Sequence, residues 1–414
     1  MEWGRRLTGI LLLLLCMTAF TNHTFLTYLN IPETLTVFES EWASGAENVI
    51  KEKLDLGKDA TIQLSEENEE IKAAVQVASL PKKETKIKTL PDIRVVPGGD
   101  SIGVKLQSNG VMIVGFHKVN DGKKRYSPAK EAGLEAGDRI VAVNGKKVSK
   151  PEDIIQALKD SSSSITLNIK RDKEEKKKEV KLYENKEGGV LGAYIRNAAS
   201  GIGTLTFYDS KSGKFGALGH VIADSSTKKP VVVENGEITR SSVSDIDKGA
   251  NGKPGEKRAT LSVNQEKLGK VTKNSPFGVF GELQPNKLSK KSRDVETMPI
   301  AFANEVEKGP AEILTVLEDE KIERFDIEIV QSVPQMQAAS KGMIIKVTDK
   351  ELLEKTNGII QGMSGSPIIQ NGKVVGAVTH VFVNDSTSGY ACHIEWMLEE
   401  AGINTLKEER KKAG

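Results

Sequence analysis

Residues 357 to 378 read Asn357-Gly-Ile-Ile-Gln-Gly362-Met363-Ser364-Gly365-Ser366-Pro367-Ile-Ile-Gln-Asn371-Gly372-Lys373-Val-Val-Gly-Ala-Val378. Two apolar runs, Ile368-Ile369 and Val374-Val375, flank Asn371-Gly372. Asn-Gly between apolar runs predicts a two-residue hairpin, because both turn residues must take positive φ. Just before the hairpin stands Gly-Met-Ser-Gly-Ser-Pro. Glycines on either side of a serine let the backbone turn sharply. They also leave neighbouring N–H groups free to converge on one point. A nucleophilic serine needs that, since its oxyanion must be met by preorganised donors. A Gly/Ser loop with no chemistry has the same composition, so the hexapeptide alone does not choose.

The hexapeptide resembles the Gly-Asp-Ser-Gly-Gly-Pro loop of chymotrypsin-like serine proteases. The resemblance makes Ser364 the nucleophile and the N–H groups of Gly362 and Ser364 the oxyanion hole. Ser366 stands where that family has glycine. Met363 stands where it has Asp, so activation by a new N-terminus pairing with that Asp cannot operate here.

At 414 residues the chain is longer than one domain. Lys+Arg 59 against Asp+Glu 57 leaves a net charge of +2, and nothing in that balance points to a nucleic-acid partner. The two cysteines, Cys16 and Cys392, lie in distant parts of the chain, so no internal disulfide is expected.

Arg5 and Arg6 followed by the apolar run Leu7 to Phe20 read as an export signal. No clear Ala-x-Ala site follows, so residues 1–31 are expected to be a signal peptide or an uncleaved signal-anchor that tethers the chain to the membrane. Positive charge before the run keeps the N-terminus in the cytoplasm and places the rest outside. Residues 32–92 are rich in Glu, Lys, Ser and Thr, with weak periodicity, and are expected to form a stalk open to proteolytic trimming.

Residues 93–184 form a second unit. Ser127-Pro-Ala-Lys-Glu-Ala-Gly133-Leu134-Glu-Ala-Gly137-Asp138-Arg-Ile140-Val-Ala-Val-Asn144-Gly145 gives a short Ala/Gly helix, a Gly-Asp turn, a strand and an Asn-Gly turn. That order resembles a PDZ domain, where a peptide C-terminus adds to a sheet edge and a backbone loop holds its carboxylate. Ser101, Ile102, Gly103 and Val104 are the candidates for that loop. Residues 184–200 link to a third unit, and from Gly201 onward many short strands separated by turns favour a barrel or sandwich.

A serine hydroxyl needs an adjacent base, usually histidine. Of the five histidines, His23 sits beside the apolar segment and His117 in the PDZ unit. His380 and His393 lie on strands after the serine hairpin. His220 follows Gly216-Ala217-Leu218-Gly219, whose small residues let a second segment approach, and it precedes the serine as the base of chymotrypsin-like proteases does. For the carboxylate that orients the base, spacing leaves Asp224, Asp245, Asp247, Asp326, Asp349 and Asp385 open. Thr348-Asp349-Lys-Glu351 also fits a capping box, which would make Asp349 a first-turn helix residue.

The export signal, the PDZ-like unit, Gly-Ala-Leu-Gly-His220, the Gln361 to Gly372 string, Thr379-His-Val-Phe-Val-Asn-Asp-Ser-Thr-Ser-Gly and His393-Ile-Glu-Trp-Met together resemble the sporulation stage IV B (SpoIVB) serine peptidase family of endospore-forming bacteria. The resemblance runs from about residue 93 to about 400, with the N-terminal segment besides. It implies a mainly β fold: a chymotrypsin-like double β-barrel peptidase domain over 185–414, preceded by the PDZ domain and the membrane segment. It implies a triad of His220, Asp349 and Ser364, although Asp349 lies closer to the serine than in chymotrypsin, which keeps Asp224 and Asp245 open. No metal or cofactor is implied.

The family further implies self-cleavage in 32–92 and cleavage of a membrane-bound regulator in the space between forespore and mother cell. That cut releases an intramembrane protease and activates a late sigma factor. The PDZ unit would take a C-terminal peptide tail, its own or another chain's. Two rival readings are a PDZ scaffold with an inactive protease-like domain and an envelope quality-control protease. In the latter group the PDZ domain follows the protease.

Overall fold

A computed structural model describes residues 23–403, except 58–59, 68–69, 91, 121, 123, 162, 173, 187, 251, 262–265 and 334–337. The basic and apolar start of the expected export segment lies outside the described residues. No helix among the described residues is long and apolar enough to cross a membrane. The chain divides into two compact units, Met1–Ile93 and Arg94–Gly414.

Where a stalk is expected, the first unit is folded. Strands β1 (Thr34–Phe38), β2 (Thr61–Glu67), β3 (Glu70–Gln76) and β4 (Lys83–Leu90) form one sheet in the order β1-β4-β3-β2. Helix α1 (Glu39–Lys53) packs on it and contributes Val49 and Ile50 to a core with Val37, Ala73, Val75 and Ile87. The alternation that builds β3 is present in the sequence, since Ala73 and Val75 point inward. It is hidden by charged neighbours on the outer face, such as Glu70 and Lys86, which pair at 2.9 Å.

The second unit is organised by one strand. β5 (Ser101–Phe116) runs for 16 residues. Its far half pairs with β6 (Arg139–Val143), the inner strand of a sheet continued by β7 (Ser164–Arg171) and β8 (Glu174–Lys181). Helix α2 (Pro151–Lys159) buries Ile154 among Val111, Ile140, Leu167 and Val180, the core of the PDZ-like part. The chain then returns along β9 (Ala193–Tyr208), which pairs antiparallel with β5 from Ala193↔Phe116 to Thr204↔Ser101.

The near half of β5 belongs to the peptidase. It pairs with β11 (Val233–Asp247) on one edge and β9 on the other. β10 (Lys214–Ala217) pairs with β9, β13 (Lys267–Ser275) with β11, and β14 (Gly278–Leu283) with both β10 and β13. The ring β5-β11-β13-β14-β10-β9 therefore closes on itself. Its interior is filled by Ile102, Val104, Leu106, Leu205, Phe215, Ile238 and Val271. The flanking strand β12 (Glu256–Leu261) pairs with β11.

A second closed barrel follows, in the order β15-β16-β17-β20-β19-β18. These strands are β15 (Gly309–Val316), β16 (Ile322–Ser332), β17 (Met343–Val347), β18 (Pro367–Gln370), β19 (Lys373–Phe382) and β20 (Asp385–His393). Each fully buried Ile or Val in it, such as Ile313, Ile345 and Val378, stabilises the fold by about 1.5–3 kcal/mol relative to exposure.

The chain is thus mainly β, with the expected double barrel and PDZ domain, but in a different order from that expected. The PDZ part is inserted into the first barrel between β5 and β9. It does not precede a separate peptidase domain that begins at 185. A composition-based boundary cannot see this, because one unbroken strand serves both parts.

Candidate active site

Between β17 and β18 the chain forms helix α3 (Lys350–Thr356), turns at Asn357 in the left-handed region, and runs into the Gly362–Pro367 loop. The N–H groups along this loop are used unevenly. Met363 N–H donates to Ile360, Gly365 N–H to Val378 and Ser366 N–H to Met363. Among the described residues, the N–H groups of Gly362 and Ser364 donate to nothing. The loop's carbonyls are held by the first barrel. Ser364 C=O accepts from Thr204 N–H at 2.9 Å, Gly362 C=O from Thr204 Oγ1 at 2.8 Å, and Gly365 C=O from Thr206 Oγ1 at 2.7 Å. Met363, in the place of the protease Asp, is fully buried in the second-barrel core. Ser364 is partly exposed.

The segment after β10 brings His220 to this loop. The Gly365 backbone lies against Leu218 and Thr204 so closely that no Cβ fits there. Gly219 packs on the strand beyond the serine, where a Cβ would lie 3.0 Å from Thr379 Cγ2 and 3.1 Å from the Val378 carbonyl oxygen. Leu218 and Gly219 take φ of 70° and 68° in succession. For leucine this is strained backbone, at a cost on the order of 1–3 kcal/mol, and it immediately precedes His220.

His220 Nδ1 lies 2.9 Å from the Val221 carbonyl oxygen. Nδ1 therefore carries the proton, and Nε2 is left with its lone pair. Burial holds the His220 pKa below its ordinary value, with the Val221 carbonyl opposing that shift, which favours the neutral ring at pH 7. No hydrogen bond joins it to Ser364 Oγ among the described residues. Such bonds commonly tighten only when substrate is bound. The His380 ring stands 5.3 Å away, centroid to centroid. Its pKa is also lowered, first by desolvation, then by His220 and Lys341.

Asp349 is placed differently. It is the N-cap of α3: Leu352 N–H donates to one carboxylate oxygen at 2.8 Å, and Asp326 N–H approaches the other at 3.4 Å. No hydrogen bond links it to His220. The remaining carboxylates are engaged elsewhere too. Asp224 accepts from Ser226 and Thr227 N–H and pairs with Arg196 at 3.2 Å. Asp245 and Asp247 pair with Arg258. Asp385 accepts from Thr387, and Asp326 lends its backbone to Asp349. His393 is buried, with Nε2 at 3.2 Å from the Val333 carbonyl oxygen, and the His117 ring packs on Tyr194.

The expected PDZ carboxylate loop is corrected. Ser101, Ile102, Gly103 and Val104 lie in the near half of β5, buried, with β9 on one edge and β11 on the other. A strand paired on both edges has no N–H groups to offer a carboxylate. Within the PDZ part, Ala193–Arg196 of β9 pair on one side with β5 and have no strand on the other among the described residues.

Two groups packed at this site escape sequence reasoning. The Val221 carbonyl has no side-chain signature at all. Lys257 looks like an ordinary strand lysine, yet it is 1% exposed and touches the oxyanion loop.

The model of the SpoIVB peptidase S55 family matches residues 188–398, and that of the PDZ domain matches 124–171. Similar solved structures include the PDZ domain of the SdrC-like protein from Listeria monocytogenes (21% identity over 21% of this chain and 87% of that one, TM-score 0.17). They also include the active form of the Rv3671c protease from M. tuberculosis (15% identity, 50% and 76% covered, TM-score 0.28). A third is the HtrA-type protease AlgW with a decapeptide (9% identity, 56% and 54% covered, TM-score 0.28). No curated protein matches. The family model covers half of the chain, centred on the barrels that hold Ser364 and His220: this protein is a serine endopeptidase belonging to the SpoIVB peptidase S55 family.

Proposed function

We propose that Ser364 attacks the scissile carbonyl while His220 Nε2 takes its proton. The observation that carries this is the alternation of N–H groups in the serine loop. Those of Gly362 and Ser364 are left without acceptors, while those of Met363, Gly365 and Ser366 are tied down. Two free donors flanking a partly exposed serine, beside a neutral histidine, form a site for a tetrahedral oxyanion. Collapse of that intermediate breaks the C–N bond and forms a Ser364 ester, with the His220 proton passing to the leaving amine. Water, activated by the same ring, then releases the acyl group. The family resemblance gives Asp349 the place of the triad carboxylate. The hydrogen bonds here favour the Val221 carbonyl as the group that fixes the Nδ1–H tautomer.

The PDZ part receives a peptide tail along the open edge at Ala193–Arg196, by strand addition. Family membership supports the physiological reading: an exported, membrane-tethered enzyme that cuts itself in its N-terminal unit. It then cleaves a membrane-bound regulator between forespore and mother cell, leading to intramembrane proteolysis and late sigma-factor activation.

A fluorophosphonate probe should label Ser364 of the full chain, and Ser364→Ala and His220→Ala should abolish the label. Folded protein that takes no label would favour an inactive scaffold. In sporulating cells the Ser364→Ala chain should leave the regulator uncut, and normal sporulation in that strain would refute the physiological role.

A further inference from the structure

Among the described residues of the second unit, Lys257 is the most deeply buried charged residue that has no opposite charge beside it. The residue is 1% exposed, and no carboxylate pairs with it among the described residues. Its Nζ hydrogen-bonds the Thr315 hydroxyl at 2.7 Å, and Thr315 is itself fully buried. Loss of hydration alone lowers the ammonium pKa from 10.5 to about 7. A lysine without a partner in such a place destabilises the fold unless it is neutral or compensated. An apolar residue would fill the same space at less cost, so the lysine calls for a reason.

Its position supplies one. β12 carries Lys257 from the first barrel, while Thr315 lies on β15 of the second. The backbone at the start of β12 bonds both the N–H and the carbonyl of Gln361, the residue before the oxyanion loop. Gln361 N–H donates to the Gly255 carbonyl at 2.8 Å, and Lys257 N–H donates to the Gln361 carbonyl at 2.9 Å. The lysine stem then lies directly under Gly362. A Cβ on Gly362 would stand 3.1 Å from both Lys257 Cβ and Cδ. Gly362 takes φ of 93°, a conformation with little intrinsic restraint, so its N–H direction must be set from outside.

We propose that Lys257 is a positioning residue of the peptidase: its stem, pinned at the far end by Thr315, props Gly362 so that the Gly362 N–H faces the oxyanion. Lysine suits this task because it is long enough to cross from one barrel to the other and ends in a donor that can be fixed. The inference rests on Ser364 being the nucleophile and Gly362 an oxyanion donor. It adds that the first barrel tunes that donor through a single side chain.

The test uses the full chain and a fluorophosphonate probe, whose phosphoryl oxygen occupies the oxyanion position. The maximal phosphonylation rate and the half-saturating probe concentration are measured separately, with circular dichroism as the check on folding. Lys257→Ala and Thr315→Val should lower the maximal rate roughly 10- to 100-fold, the scale of a slightly misplaced catalytic group. Half-saturation should stay within about twofold, since ground-state binding does not use this donor. Thr315→Ser, which keeps the hydroxyl, should restore most of the rate. A merely structural lysine would lower the folded fraction and leave the rate per folded molecule unchanged, and that result would overturn the inference. If Lys257→Ala does not fold, Thr315→Val against Thr315→Ser decides alone, and equal maximal rates in the two would overturn it. Label on a residue other than Ser364 in the wild-type chain would remove the site assignment and this inference together. Label on Ser364 with unchanged rates in the variants removes this inference only.

Discussion

The Asp349 carboxylate can be asked which of two jobs it does, because asparagine separates them. As an N-cap, Asn serves about as well as Asp. As the partner of a catalytic imidazole it does not, and the corresponding Asp-to-Asn change in a triad lowers turnover by about 10⁴. The carboxylate bonds Leu352 and Asp326 N–H, so Asp349→Asn should keep turnover within about tenfold. Asp349→Ala should lose about 1 kcal/mol of stability through the cap. Steady-state cleavage rates and urea melts of the two variants check this, and a fall of several thousand-fold in Asp349→Asn would restore the triad role. His220 gives a second residue-scale expectation. Its proton must be absent for it to accept one from Ser364, and burial lowers its pKa from 6.5. Activity should therefore fall as pH falls, with the midpoint of the acid limb below 6.5; a midpoint above it would contradict the buried, neutral base. That the Ser364 loop and the His220 segment pack together was legible, because both carry small residues that permit close approach: glycines about the serine, Gly216 to Gly219 before the histidine. The helix start was legible too, in Thr348-Asp-Lys-Glu351, but one residue early: that pattern puts Asp349 in the first turn, whereas Asp349 is itself the N-cap. What no residue pattern could show is where a carbonyl such as that of Val221 ends up.

The serine loop and its hairpin behave as one element, yet their glycines differ in kind. Asn371 and Gly372 take φ of 51° and 73°, as the Asn-Gly turn requires, and Gln370 pairs with Lys373 across them. Nothing lies within 4 Å of a Cβ built on Gly372. Gly372→Ala should therefore cost only its left-handed backbone, about 1–2 kcal/mol, with the site intact. At Gly365 a Cβ would run into the Thr204 carbonyl oxygen and the Leu218 backbone nitrogen, and φ is 93°. Neither obstacle is a side chain that can swing away. Gly365→Ala should thus separate the serine loop from the His220 segment and abolish phosphonylation, even where circular dichroism shows the barrels still formed. Wild-type phosphonylation in Gly365→Ala would mean that the close approach is not what assembles the site. The hairpin could be read from its turn chemistry. The docking of the loop onto β9 and the segment after β10 could not, because it depends on backbone groups of Thr204 and Leu218 that are far away in sequence.

At the scale of the whole molecule, the first barrel is discontinuous in sequence. One wall is the near half of β5, and the PDZ part intervenes before β9 resumes the ring. The domain classes were legible, because the Ala/Gly helix and Gly-Asp turn mark the PDZ part and the short strands mark the barrels. Their nesting was not, since a strand paired on both edges carries the same apolar alternation whichever domain owns it. The family match begins at 188, after β5, yet the ring needs β5 to close. A fragment of residues 185–414 would expose the unpaired edges of β9 and β11. It would also open a core that includes Ile102, Val104 and Leu106, each almost wholly buried. Losing three such side chains removes roughly 1.5–3 kcal/mol apiece, as much as a typical domain's net stability of about 5–15 kcal/mol can bear, and the bare edges invite aggregation. Residues 94–414, which form one compact unit, should give soluble protein with a single cooperative melt and Ser364 labelling. Residues 185–414 should not, and adding a peptide of residues 94–108 should recover part of the label by completing the ring. A soluble, labelled 185–414 fragment would show that the barrel closes without β5 and that the two parts are joined end to end after all.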